Sequence, residues 1–106
     1  MDLVENIYRL TAGFPNDERY GLTSQLRRSV TSIALNIAEG SGCPSEVEFA
    51  RFLDIAQRSN YELMCGIEIA QRLSFLSVEN RDQILDQSDE VSAMIFGLKK
   101  KLKADR

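Results

Sequence analysis

The stretch YGLTSQLRRSVTSIALNIAEGSG, residues 20–42, decides the fold. Leu22, Leu26, Val30, Ile33 and Ile37 recur at spacings of four, four, three and four. An α-helix turns once every ~3.6 residues, so these side chains form one stripe. A half-buried strand would alternate apolar and polar residues instead. Gly40 and Gly42 follow the stripe. Glycine tolerates the left-handed conformation at a helix end, so the helix is predicted over 20–40 with these glycines closing it.

The same spacing rule works outward in both directions. Upstream, Leu3, Ile7 and Leu10 share a stripe, which predicts a short helix over 3–12. Gly13 and the Phe14-Pro15 step end it, because proline disfavours helical geometry in the residue before it. Downstream, Ser45 and Glu48 have capping-box spacing after Pro44. Phe49, Leu53, Ala56, Asn60, Leu63, Ile67 and Ala70 then alternate at four and three, a heptad seam with Asn60 as its one polar member. This predicts a third helix over 45–74. Ser77 is a plausible N-cap for a fourth, over 77–103, with Glu79 in its first turn. Ile84, Ser88, Val91, Ile95, Leu98 and Leu102 repeat the pattern. Lys99, Lys100, Lys101 and Lys103 crowd its last turns, where positive charge suits the helix dipole. No stretch reads as a strand. Short connections make successive helices antiparallel neighbours, so the fold class is all-α, an antiparallel up-down-up-down four-helix bundle in a single domain over 1–106.

Bulk composition narrows the function classes. The chain has 106 residues, enough for one core, with 43% hydrophobic and 27% charged residues. Its net charge of −3 weighs against strong nonspecific binding to phosphates. Two cysteines, Cys43 and Cys65, form no CxxC pair, and the chain has no histidine to complete a zinc set. They read as reduced thiols of a cytoplasmic protein. The start MDLVENIYRL lacks a basic n-region and a long apolar stretch, and no apolar run approaches the roughly 20 residues that span a bilayer. No membrane partner, metal or cofactor is expected.

The residues also carry a resemblance. FPNDERYGLTSQLRRSVTSIALNIAEGSG resembles the FP..E.YGL..Q.RR...SI..NIAEG signature of the bacterial four-helix bundle proteins also called 23S rRNA intervening-sequence proteins. SEVEFARFLDIAQRSNYEL resembles that family's third helix, and MIFGLKKKL its closing segment. The match covers nearly the whole chain, about 3–102. The resemblance implies a four-helix bundle that assembles into a homopentamer, with no established reaction. A related group, the accessory variability determinants of diversity-generating retroelements, comprises basic pentamers that bind nucleic acid and a reverse transcriptase. This acidic chain departs from them. It also has no tryptophan and starts about a dozen residues late against the family pattern. Its first helix is therefore expected to be short and to leave a core edge open. Ala34 stands where the family commonly has proline, so the second helix is expected to be less kinked.

Three sets of side chains are candidates for function. Arg28, Asn36, Glu39, Arg51, Asn60 and Glu62 form a polar rim, read first as a structural set and otherwise as a subunit contact or ligand site. Within it, inter-helix pairs Glu39–Arg51 and Arg28–Glu62 are expected, with Asn36 hydrogen-bonding at the seam. Leu35 points away from the stripe, and with Phe52 and Ile55 off the third seam it suggests a homo-oligomer surface. Arg9, Arg19, Arg27, Lys99, Lys100, Lys101 and Lys103 are candidate nucleic-acid contacts, against the plainer reading that the lysines complement a helix end. Catalysis has little support. The di-iron Glu-x-x-His pairs need histidine, the serines have no base partner, and GSG is too short for a phosphate loop. The sequence therefore reads as a non-enzymatic bundle acting by self-association and by binding an unidentified protein partner. A nucleic-acid-associated accessory protein is the alternative.

Overall fold

The computed structural model describes the backbone of residues 1–104 and the side chains of residues 1–102. Four helices account for most of it: α1 (Asp2–Thr11), α2 (Leu22–Ser41), α3 (Glu46–Arg72) and α4 (Val78–Ala104). A single 3-10 turn, Asn16–Glu18, lies between α1 and α2. Arg19–Gly21 follow it as a further turn, so α2 starts two residues later than its periodicity predicts. Helix α2 is continuous from end to end, as expected without a proline at Ala34. The described residues contain no strand.

Helix α2 packs on α3, α3 packs on α4, and α1 touches both α2 and α4. This is the four-cornered, alternating arrangement that short connections impose. The predicted stripes meet along the axis. Leu26, Val30 and Ile33 of α2, Leu53, Leu63 and Ile67 of α3, and Ile84 and Ile95 of α4 are buried. Each such side chain contributes roughly 1.5–3 kcal/mol by leaving water. Leu3 and Ile7 of α1 complete the core, and Phe14 meets Phe75 with ring centroids 5.6 Å apart at the end where both odd-numbered connections lie. Helix α1 has 10 residues against 27 in α4, so it covers only part of the α2–α4 face. Ile37, Leu98 and Leu102 pack on the core but stay partly exposed, which is the open edge expected of a short first helix.

The caps follow the sequence in two cases and depart from it in one. Ser45 accepts a hydrogen bond from the Glu48 amide (3.3 Å), and Ser77 from the Asn80 amide (3.0 Å). At the end of α2, however, no glycine adopts a positive φ. Gly40 lies inside the helix and serves another purpose. A Cβ there would fall 2.8 Å from both Phe49 Cδ1 and Phe52 Cβ. The hydrogen side chain lets α2 and α3 approach closely. The left-handed position is Ser74, at φ 65°, after α3. Its amide bonds to Gln71 O and the Phe75 amide to Ala70 O (both 2.9 Å), closing a Schellman turn.

The α3–α4 seam is more polar than the α2–α3 seam. Asn60 is fully buried and donates from Nδ2 to Ser88 O at 2.9 Å. Gln57 donates to Ser92 O (3.4 Å), and Arg81 donates to Gln71 Oε1 (3.2 Å). Lys99 pairs with Asp54 on the same seam, so one of the terminal lysines links two helices. Asn60 Oδ1 and Ser88 Oγ are buried without a hydrogen-bond partner.

Candidate functional site

The outward face of α2 lines an open groove of about 1070 Å³. One helix supplies most of its floor. Ser24, Arg27, Thr31, Leu35 and Glu39 follow one another on that face at spacings of three and four, with Arg28 beside Arg27. Tyr8 of α1 forms one flank, and Arg19 and Tyr20 of the connection stand at one end.

Arg27 is held in place by α1. Its Nε donates to Thr11 Oγ1 (2.9 Å), its Nη2 to Tyr8 O (3.4 Å), and its guanidinium carbon lies 4.7 Å from the Tyr8 ring centroid. The Thr11 hydroxyl donates its own proton to Ile7 O at 2.7 Å, leaving a lone pair for Arg27. Guanidinium is planar and has five donors, so it can stack and hydrogen-bond at once. Arg19 lies 5.8 Å from the Tyr20 ring centroid, and Tyr20 is 89% exposed. Arg28, the next residue of α2, is exposed. Among the described residues no carboxylate forms an ion pair with Arg19, Arg27 or Arg28.

The polar rim is rearranged relative to expectation. Arg51 pairs with Glu48, one turn back on its own helix (3.2 Å), and lies over the Phe52 ring. Among the described residues it makes no ion pair with Glu39, since the partner three residues back on its own helix lies within reach without any contact across helices. Arg28 and Glu62 form no ion pair either. They flank a small notch of about 180 Å³ at the α2–α3 edge, with Ser32 and Ser59 between them. Ser32 Oγ and Ser59 Oγ share a hydrogen bond of 2.8 Å, and this is the polar link across that seam. Asn36 stays within α2, donating to Ser32 O (2.8 Å) and Ser32 Oγ (3.1 Å). Asn60 belongs to the other seam, with Ser88. The six rim residues are thus dispersed: Arg28 and Glu62 at the notch, Asn36 bonded within α2, Arg51 paired along α3, Asn60 in the α3–α4 seam and Glu39 in the groove.

The apolar set also divides. Leu35 is 62% exposed, as its wheel position requires. Phe52 and Ile55 are half-buried, and Phe52 packs against Gly40. The basic set divides into two ends of the molecule. Arg19 and Arg27 enter the groove, and Arg9 donates to Asn6 Oδ1 on α1 (3.2 Å). Lys99, Lys100 and Lys101 lie at the far end of α4, and the Lys103 side chain lies outside the described residues. The sequence reading missed Tyr8, Thr11 and Tyr20. The spacing of three between Tyr8 and Thr11 is the one signal that could have placed them beside each other.

Both cysteines are free thiols. Among the described residues, no group of three or more His, Cys, Asp and Glu could hold a metal ion, and no helix is long and apolar enough to cross a membrane.

Comparison with known proteins follows the fold. The family model for the 23S rRNA-intervening sequence protein matches residues 1–97. A crystal structure of a protein with unknown function from the S23 ribosomal protein family, from Bacteroides thetaiotaomicron VPI-5482, superposes with a TM-score of 0.86. It is 25% identical, and the match covers 93% of each chain. No curated protein matches this one.

Proposed function

The chain belongs to the 23S rRNA-intervening sequence protein family, and on that premise we propose that it works in the cytoplasm by self-association and partner binding, without catalysis. The observation that carries this reading is the exposure of Leu35 at the middle of the α2–α3 face. The Ser32–Ser59 bond and the Gly40–Phe52 contact fix the antiparallel register. That register puts Leu35 level with Ala56 and Gln57, next to Ile55, with Phe52 about one turn away. Glu39 stands one turn beyond Leu35 on α2, and Arg51, paired with Glu48, directly precedes Phe52 on α3. An apolar centre with a charged rim is the anatomy of a protein interface. A symmetric ring would use it once per subunit, and five subunits is the size carried over from the family resemblance.

Light scattering coupled to size exclusion tests the reading. The native chain is expected to run as an oligomer and Leu35→Glu as a monomer with unchanged helix content. A native chain that is monomeric at every concentration overturns it.

A further inference from the structure

We propose that the N-terminal half of the α2 groove binds a nucleotide unit, either free or within a single strand. The inference is independent of self-association, because it rests on Arg19, Tyr20, Arg27 and Arg28 rather than on Leu35. The residues are separated from Leu35 by about two helical turns or more.

Three cations converge in one concavity of an otherwise acidic chain. None of the three pairs with a carboxylate among the described residues. Arg27 is fixed before any ligand arrives. Two of its donor nitrogens are committed to Thr11 and Tyr8, which leaves Nη1 for an anion. A guanidinium held in this way loses little freedom on binding, and guanidinium suits phosphate oxygens. Ser24 adds a hydroxyl on the same face, while the Thr31 hydroxyl already donates to Arg27 O (2.6 Å).

The second component is aromatic. Tyr20 presents nearly its whole ring to solvent at the end of the groove, beside Arg19. An exposed ring next to arginines is a surface on which a base can stack while its phosphate meets the cations. Tyr8 is 43% exposed and has a guanidinium 4.7 Å from its centroid, whereas Tyr20 is 89% exposed with Arg19 farther off, so Tyr20 is the stacking residue. A bare anion would have no use for that ring. Glu39 lies at the opposite end of the groove and repels phosphate there, which confines the ligand to the arginine end.

The test titrates the full chain at low salt with three probes: adenosine 5′-monophosphate, a labelled oligothymidylate strand and inorganic phosphate. The monophosphate or the strand is expected to bind, and added salt to weaken the binding. Tyr20→Ala and Arg28→Ala are each expected to weaken it about fivefold or more, with Tyr20→Phe close to the native chain. Lys100→Ala with Lys101→Ala leaves it unchanged. Binding of the monophosphate identifies a free nucleotide as sufficient, and binding of the strand alone identifies a polymer. No binding by either probe overturns the proposal. So does phosphate binding as tightly as both, or binding that ignores Tyr20→Ala and Arg28→Ala. Nucleotide binding retained in Leu35→Gln, which adds no charge to the groove, separates this site from the interface.

Discussion

Gly66 of α3 lies so close to Leu26 of α2 that an added Cβ would fall 2.5 Å from the leucine Cδ2. Gly40 makes the reciprocal approach from α2, against Phe49 and Phe52 of α3. The two glycines thus set the α2–α3 separation near opposite ends of the pair. They differ in what would have to move. Leu26 can shift the end of its side chain, but Phe52 Cβ is rooted on its own backbone. Gly40→Ala is therefore expected to destabilise by about 1–2 kcal/mol, with overpacking outweighing the gain in helix propensity. Gly97 in α4 has nothing within 4 Å of an added Cβ, so Gly97→Ala is expected to stabilise by up to about 1 kcal/mol. Urea denaturation of both variants checks the opposite signs.

Ser88 carries a buried hydroxyl with no hydrogen-bond partner. An unsatisfied buried polar group costs about 1–3 kcal/mol, and alanine is the better helix former. Ser88→Ala is expected to raise the unfolding free energy by about 1 kcal/mol. Asn60→Ala, which removes the bond to Ser88 O and opens a cavity, is expected to lower it by about 2 kcal/mol. A melt in which Ser88→Ala lowers stability would show that the hydroxyl has a partner in solution.

Ser74 holds the left-handed position after α3 at φ 65°. A non-glycine residue there is disfavoured by roughly 1–2 kcal/mol. Glycine loses part of that gain to unfolded-chain entropy. Ser74→Gly is expected to raise stability by about 0.5–1 kcal/mol without altering the Schellman bonds, as read by thermal denaturation and by amide exchange at Ser74 and Phe75.

Arg27 fastens α1 through Thr11, the Tyr8 carbonyl and the Tyr8 ring. Arg27→Ala is expected to cost about 1–3 kcal/mol, since a half-buried charged hydrogen bond and a stacking contact go together. Arg27→Lys is expected to recover less than half, because an ammonium cannot stack and bond in the guanidinium geometry. Amide exchange is expected to rise first in α1, whose ten residues cannot hold a helix without tertiary contacts. Equal protection of α1 in both variants would contradict this account.

Much of the architecture was legible in periodicity. The stripes of α2, α3 and α4 put Leu26, Leu53, Leu63, Ile67, Ile84 and Ile95 in the core, and there they lie. Ser45 and Ser77 could be read as caps because capping is local. Leu35 could be read as outward for the same reason. Pairings across helices were not legible. Glu39 and Arg51 have suitable charges and a plausible level, yet Arg51 pairs with Glu48, because a wheel gives direction without lateral distance. Gly40 resembled a helix stop, and only the approach of Phe49 and Phe52 assigns it to packing.

The sequence by itself determined the number of helices, their polarity, their buried faces and the family, since these depend on spacing along one chain. Tertiary structure decided which polar atoms meet. It joined Ser32 to Ser59 and Arg27 to Thr11, and it gathered Arg19, Tyr20, Arg27 and Arg28 into one groove while sending the lysines to the other end. The reason is physical. Helix formation and amphipathic burial are set by near neighbours in sequence, whereas a long polar side chain chooses its partner by a few ångströms of inter-helix separation and register. In this molecule, Gly40 and Gly66 set that separation for α2 and α3.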